Sequence, residues 1–254
     1  LMSRPEDRWR WVGNGIRLLR DEGVPLNSRN PVIYRELSWI FLHKLGMDGD
    51  TAAGYYRTML AKGISPCLGD GGSVPAAGSV AAAGLAEVFK MDVAEMAELE
   101  RKHGAIDWRV PCAHSLYWGA MAVRHVDGVA SELVPARRMV YTSLIEMARR
   151  NGVLEGDVEA DGYEFAASPN HALIDATIAY LEESMAASDF SGIRFAYVGF
   201  LRDAMRIRMH RGEVAEARAL YGKLVDFFEG KNNIQMPTFE ETLGGDDDLF
   251  LALL

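Results

Sequence analysis

The sequence predicts an all-α fold, and three observations carry this prediction. Apolar residues recur at the spacing of a helix face through most of the chain, whereas strand-like alternation is confined to one segment. Side chains suited to cap a helix N-terminus precede several of these stretches, and glycines follow them. Most of the nine prolines stand just before such a stretch, where a helix tolerates them because its first N–H groups have no partner.

Each predicted helix has one apolar stripe to bury. The first stripe runs from Trp9 to Leu19 and the second from Tyr34 to Leu45. Later stripes begin, in chain order, at Ala52, Leu85, His114, Met139, Leu173, Ile193 and Val214. Suitable N-caps are Asn30, Asp50 and Ser168, and suitable stops are Gly104, Gly152 and Gly212. The pattern indicates about ten helices and few strands.

Two segments interrupt the helical pattern. Residues 63–79 are rich in Gly, Pro and Ser, which is typical of a long surface connection. Residues 152–168 alternate apolar and polar side chains around an Asp161-Gly162 turn signal, which indicates either a small β-hairpin near 153–165 or a loose acidic loop. We expect a single domain over residues 1–254. Since the chain begins with Leu1 rather than Met, we also expect it to be part of a longer protein.

The composition, the net charge and the number of cysteines exclude several function classes. With 49% hydrophobic and 25% charged residues the chain has a globular balance, and its net charge of −9 argues against nucleic acid or an anionic membrane as a partner. Two cysteines without a CxxC pair give neither a disulfide framework nor a zinc site. No apolar run approaches the roughly 20 residues of a membrane span. We expect a soluble domain, cytoplasmic or attached to an anchor outside this chain, that needs no cofactor.

The stretch NSRNPVIYRELSWIFLHKLGMDGDTAAGYYRTMLA resembles a tetratricopeptide repeat. Its NSRNP is similar to the family's turn between repeats. The large, leucine, small and aromatic positions of the first helix are matched by Tyr34, Leu37, Ser38 and Phe41. The small and aromatic positions of the second helix are matched by Ala52 and Tyr56. The link between the two helices is about two residues longer than in the usual repeat.

A second, partial match lies near the end of the chain. RGEVAEARALYGKL resembles the turn and second helix of the same repeat, with Gly212 at the turn followed by Ala217 and Tyr221. The resemblance implies antiparallel helical hairpins stacked as an irregular α-solenoid with a concave face. It also implies a non-enzymatic scaffold or adaptor that binds a protein or peptide partner of unknown identity. Association of the chain with itself is a further use of such surfaces.

The stretch DWRVPCAHSLYW brings several reactive side chains to the start of a predicted helix. Cys112 and His114 are separated by about 200° around that helix, so they cannot hold one metal ion together. We interpret His114 as a packing residue. The tetratricopeptide resemblance places it at the large position of a first helix and puts Trp118 where a small residue is usual, which should force the helix pair apart.

The alternative is a metal- or small-molecule-dependent enzyme. Its site would lie around Asp107, Arg109 and His114, with a histidine such as His43 brought near by folding. No nucleophile elbow, phosphate-binding loop or zinc-protease helix occurs in the sequence, so no catalytic residue is assigned. DVEADGYEFAAS resembles part of a calcium loop, but Ser168 stands where a bidentate acid is required, which favours a solvated acidic turn.

Four residues are candidates for partner binding, namely Arg109, His114, Arg202 and Arg206. Arg109 pairs either with an acid on a neighbouring helix or, on the concave face, with a carboxylate of the partner. Arg202 and Arg206 are one turn apart on a predicted helix, where they either hold an acidic peptide or are neutralised by nearby acids. The tail FEETLGGDDDLFLALL either docks on the last helical hairpin of the chain or engages a partner.

Overall fold

The computed structural model describes residues 4–126, 130–229 and 236–244. The structure is mostly helical (73%), with 11 helices and one small antiparallel hairpin in this part of the chain, which confirms the predicted helical class. Its contacts divide the chain into two compact units, Leu1–Ala176 and Thr177–Leu254, where the sequence predicts one domain. Among the described residues, no helix combines the length and the apolar character that a membrane span requires.

The first unit contains helices α1 to α7 in its described residues. Their bounds are α1 Pro5–Arg17 continued by Leu18–Gly23 and Val24–Leu26, α2 Pro31–Trp39 continued by Ile40–Gly46, α3 Ala53–Ile64, α4 Val80–Gly84 continued by Leu85–Phe89, α5 Val93–His103, α6 Pro111–Arg124 and α7 Leu133–Arg149. The segments at Leu18–Gly23, Ile40–Gly46 and Leu85–Phe89 are π-helical. The predicted connection at 63–79 contains two short 3₁₀ turns, Ser65–Cys67 and Asp70–Gly72.

Side-chain hydrogen bonds explain where α2 begins and ends. Asn30 caps the helix as predicted, since its side chain accepts from the Val32 N–H at 3.0 Å. At the other end, the buried Arg57 guanidinium donates to the Leu45 and Gly46 carbonyl oxygens, at 2.6 and 3.1 Å. These carbonyls have no partner within the helix, so Arg57 replaces the usual glycine cap.

Two predicted caps have other roles. Asp50 accepts from the Ala52 N–H at 2.9 Å, but it also pairs with Arg8 of α1 and Lys44 of α2. Burial raises the pKa of Asp50, but the hydrogen bonds from Lys44 and Ala52 and the charges of Lys44 and Arg8 outweigh burial and lower it to about 2. Ser168 ends the second strand of the hairpin instead of opening a helix.

Helix α6 is the central helix of the first unit. Every residue from Pro111 to Gly119 is buried, as expected for a helix that has neighbours on all sides. The rings of His114 and Trp118 stack on Phe41 and Tyr34 of α2, with centroids 4.9 and 6.3 Å apart. Since the order of the partners is reversed, α2 and α6 run antiparallel.

Small residues bring α2, α6 and α7 together. Ser38 donates to the Ser115 carbonyl oxygen at 2.8 Å, and Ser143 donates to Ser115 Oγ at 2.8 Å. A Cβ added at Gly119 would lie 3.1 Å from a side-chain atom of α7. The expectation that Trp118 forces the helix pair apart is therefore wrong, because the close approach runs through the neighbouring serine and glycine.

The residues matched to repeat positions lie mostly in the interior. Those that are buried are Tyr34, Leu37, Ser38, Phe41, Ala52, Tyr56, Trp118 and Ala217. Gly212 has a left-handed backbone, with φ of 76°, and Tyr221 is half-buried. Burial of this kind is common to helical cores, so it does not distinguish a tetratricopeptide array from another helical arrangement.

Of the two alternatives for the segment 152–168, the structure shows the β-hairpin. Strand β1, Val153–Glu155, pairs antiparallel with β2, Ala166–Ser168, in a register that sets Leu154 opposite Ala167. The hairpin does not separate two halves of the chain, because the Leu154 N–H donates to Asp107 of the first unit at 2.8 Å. The boundary between the units falls after Ala176, inside helix α8, Ile174–Ala187.

The second unit continues α8 with a helical hairpin and a short last helix. These helices are α9 Ser191–His210, α10 Val214–Phe228 and α11 Phe239–Gly244. The Tyr221 hydroxyl of α10 donates to the Pro237 carbonyl oxygen at 2.8 Å, and the Arg218 guanidinium lies 4.4 Å from the Phe239 ring centroid. The start of the tail thus docks on the last helical hairpin of the chain, which was one of the two expectations for it. Residues 245–254 of the tail lie outside the described residues.

Candidate functional site

Asp107 and Arg109 form an ion pair ahead of α6. Their side chains are 4% and 17% exposed, and the guanidinium donates to the carboxylate through Nε at 2.8 Å and Nη2 at 2.7 Å. The hydrogen bond with Asp107 raises the pKa of Arg109 against the opposing effect of burial. The partner of Arg109 is therefore Asp107, two residues away, and the expectation of an acid on a neighbouring helix is wrong, because both side chains precede the same helix.

The same pair fixes the connection that precedes α4. The Trp108 N–H donates to the Gly72 carbonyl oxygen at 2.9 Å, and Arg109 Nη2 donates to that of Gly71 at 3.2 Å. Gly72 has a φ of 81°, and a Cβ at this position would overlap Asp107 Oδ1. Glycine is required on both grounds. With the Leu154 N–H also bound, Asp107 joins the 63–79 connection, the start of α6 and the hairpin.

His114 is enclosed in the core, with 1% of its surface exposed. Its ring stacks on Phe41 and lies against Phe89 with centroids 6.3 Å apart. Nε2 is 3.0 Å from the Trp108 carbonyl oxygen, so we assign the tautomer in which Nε2–H donates to that oxygen. Burial lowers the pKa of His114 to about 4, although the Trp108 carbonyl opposes this shift. The structure places this partner-binding candidate where it packs as a neutral ring.

The side chains of the alternative enzyme site do not converge. Asp107 is bound by Arg109, His114 is enclosed, and the His43 ring packs tilted against Trp39 with ring centroids 5.1 Å apart. Among the described residues, which include the acidic loop of the hairpin, no group of three or more His, Cys, Asp or Glu side chains is arranged to hold a metal ion. The reactive side chains of the stretch DWRVPCAHSLYW thus make separate internal contacts.

The two arginine candidates of α9 are engaged within the second unit. Arg206 Nε donates to the Leu243 carbonyl oxygen of α11 at 3.1 Å, and its Nη1 lies 3.6 Å from Asp203. Arg202 is 6% exposed, and burial lowers the pKa of its guanidinium together with the charge of Arg206. Of the two alternatives for Arg206, the structure thus shows a nearby acid of the chain, Asp203, together with a backbone oxygen of the chain's own tail.

A mixed polar and aromatic surface lies between α2 and α7 on the exterior of the first unit. Arg35, Trp39 and His43 follow one another at every fourth position of α2, and Arg35 Nε lies 3.3 Å from Glu132 Oε2 at the start of α7. Trp39 is 47% exposed. We call the surface formed by these four residues and the exposed Arg138 of α7 the α2–α7 face.

Electrostatic interactions connect the two sides of this face. Burial lowers the pKa of His43, the charge of Arg138 lowers it further, and Glu146 opposes both. His43 is therefore neutral at pH 7 and forms an uncharged aromatic pair with Trp39. Because Arg35 lies beside the beginning of α7 and His43 interacts with Glu146 near its end, α2 and α7 run parallel.

No protein-family model, curated protein or solved structure matches this chain. The candidate site therefore rests on the residues of the chain itself. The sequence analysis considered His43 but missed Trp39 and Arg138. The signal in the sequence is a tryptophan on the polar side of the α2 stripe, one turn after an arginine and one turn before a histidine. A large aromatic side chain at such a position is not explained by the core.

Proposed function

We propose that the chain is a non-enzymatic scaffold of tetratricopeptide-like helical hairpins that binds a protein or peptide through the α2–α7 face. The observation that supports this most is the exposure of Trp39 between Arg35 and His43, on a helix whose other aromatic rings, Tyr34 and Phe41, are buried. Tryptophan and arginine are the side chains that most often anchor protein interfaces, and a fixed helix presents them with little loss of conformational entropy on binding.

The internal use of the reactive side chains also supports a scaffold. An enzyme needs a nucleophile, acid or base that can reach a substrate. Asp107 and Arg109 bind each other, and His114 is enclosed by aromatic rings. Cys112 is buried as well, and burial raises the pKa of its thiol to about 12, so it is not the thiolate that nucleophilic catalysis requires. These groups hold the first unit together, and the exposed face is left for binding.

The test compares two exposed tryptophans. Trp39→Ala alters the proposed face, whereas Trp11→Ala removes a tryptophan on α1 that is 64% exposed. The purified parent chain and both variants are immobilised, exposed to an extract of the source cells and analysed by quantitative mass spectrometry. Retained proteins are then produced in pure form and titrated calorimetrically against all three chains.

We expect at least one purified protein to bind the parent and Trp11→Ala with equal affinity and Trp39→Ala about tenfold or more weakly, as for truncation of a central aromatic anchor. Both variants should keep the parent's melting temperature, since neither side chain belongs to the core. Binding partners that lose equal affinity with both variants, or with neither, would overturn the assignment of the face.

A further inference from the structure

We infer that the α2–α7 face takes an acidic segment that carries bulky apolar side chains. This inference rests on the proposed function and adds the chemistry of the partner. The chain as a whole is acidic, with a net charge of −9. On α7, however, Arg138 is exposed and its charge acts on His43 of this face, and the exposed Arg149 and Arg150 stand at and just after the end of the helix. Arg138 thus places an exposed positive charge beside His43 on an otherwise acidic chain, which favours an anionic partner at this place.

Part of this positive charge is balanced within the chain. Arg150 Nε lies 2.7 Å from Glu146 Oε2, and Arg35 lies 3.1 Å from Glu36 and 3.3 Å from Glu132. Each guanidinium has five N–H donors, so a paired arginine keeps donors for a second carboxylate. The internal acids also hold the arginine side chains in place before a partner arrives.

Arg138 is the cation of the face that forms no ion pair with a described residue. Its charge acts on the neutral His43 ring, which packs tilted against Trp39. A carboxylate bound to Arg138 would be a charge-assisted, bidentate contact, which arginine makes better than lysine. An apolar side chain near that carboxylate could then cover the exposed face of the Trp39 ring.

The charge pattern favours a polypeptide over nucleic acid. The carboxylates of Glu36 and Glu132 lie beside Arg35, and a continuous phosphate backbone would meet their negative charge there. An acidic peptide places its carboxylates at intervals and has neutral side chains between them. Trp39 offers a stacking surface to a base as well as to an apolar side chain, so single-stranded RNA is included in the test.

The test uses fluorescence anisotropy of short dye-labelled probes with the whole chain. The probes are a peptide of Glu-Glu-Leu repeats, a peptide of Glu-Glu-Ser repeats, a peptide of Lys-Lys-Leu repeats, and oligouridylate. The variants are Arg138→Glu and Trp39→Ala, with Arg10→Glu as the control of equal charge change, since Arg10 is a 72% exposed side chain on α1. Melting temperatures of all variants verify that the chain stays folded.

We expect the Glu-Glu-Leu peptide to bind most tightly and to lose about tenfold or more in affinity with Arg138→Glu, while Arg10→Glu stays near the parent. With Trp39→Ala, the Glu-Glu-Leu peptide should bind no better than Glu-Glu-Ser. Raising the salt from about 50 to about 500 mM should weaken binding, because partly exposed charges are screened.

Equal losses with Arg138→Glu and Arg10→Glu, a preference for Lys-Lys-Leu, or tighter binding of oligouridylate would each overturn the inference. Failure of the Glu-Glu-Leu peptide to bind would do the same. In all these cases the calorimetric comparison of Trp39→Ala with Trp11→Ala decides the proposed function separately, because it does not depend on the charge of the partner.

Discussion

The Asp107 carboxylate accepts both side-chain and backbone hydrogen bonds from Arg109, through Nε at 2.8 Å, Nη2 at 2.7 Å and the backbone N–H at 3.0 Å. Its Oδ2 also accepts the Leu154 N–H from the hairpin. A stretch of sequence with the side chains of an active site is thus a structural junction.

Asp107→Ala should destabilise the first unit by about 2–4 kcal/mol, because it leaves the Arg109 guanidinium and the Leu154 N–H without their buried partner. Chemical denaturation followed by tryptophan fluorescence measures the loss, since Trp108 lies next to the junction. Glu98→Ala is the control, because it breaks an exposed arginine pair with Arg101 and should leave the unfolding midpoint unchanged. Equal midpoints for the two variants would show that the junction carries no stability.

Gly119→Ala should destabilise the fold by about 1 kcal/mol or more, although alanine is the better helix former. The new Cβ would lie 3.1 to 3.3 Å from Met139, Ser38 and Val140, which approach it from two different helices. If α6 moved away from one of these helices to relieve the clash, the new Cβ would come closer to the other helix. Gly15→Ala on α1 meets nothing within 4 Å and should stabilise by about 0.5–1 kcal/mol. Thermal melts of both variants test this opposition of sign, and a stabilising Gly119→Ala would contradict it.

Periodicity predicted the helices and most of the residues that each buries, although Val214, where the last stripe begins, is 43% exposed. It could not predict which helix meets which. Ser38 and Ser115 are 77 positions apart, and Asp107 and Leu154 are 47 apart, so no local pattern reveals these contacts. The expectation that Trp118 forces the helix pair apart was wrong for the same reason. The repeat positions emphasise one face of α6, whereas α7 packs on the adjacent one.

The candidate site was harder to predict than the fold. The sequence drew attention to charged and aromatic residues that lie close together along the chain, and these turned out to bind each other, as Asp107 and Arg109 do. The α2–α7 face instead combines Trp39 and Arg138 from helices that are distant in the sequence. Only the parallel packing of α2 and α7 shows that these side chains belong to one surface.

His114 should make stability depend on pH between about 6.5 and about 4. Burial lowers the pKa of the folded-state ring to about 4, so in this range the unfolded chain binds a proton that the folded chain does not. Stability is therefore full above about pH 6.5 and falls as the pH is lowered, by roughly 3 kcal/mol in total. His114→Gln removes this titration and should show a flatter curve of unfolding free energy against pH. His210→Gln, at the exposed end of α9, should keep the parent's curve; a His114→Gln curve parallel to the parent's would contradict the prediction.

The last described helix should detach from the second unit when its aromatic anchor is removed. Phe239 is buried, its ring packs edge-on against Tyr221 with centroids 5.7 Å apart, and Arg218 lies over it. Thr238 and Glu241 form a reciprocal capping box, so α11 has its own N-terminal cap, but a helix of one or two turns is unstable without packing. Phe239→Ala should therefore raise the hydrogen-exchange rate of residues 236–244 by about tenfold or more, measured by mass spectrometry. Phe190→Ala removes an exposed ring just before α9 and serves as the control. Unchanged exchange in Phe239→Ala would mean that the Arg206 contact with the Leu243 carbonyl and the Tyr221 contact with Pro237 hold the segment without the ring.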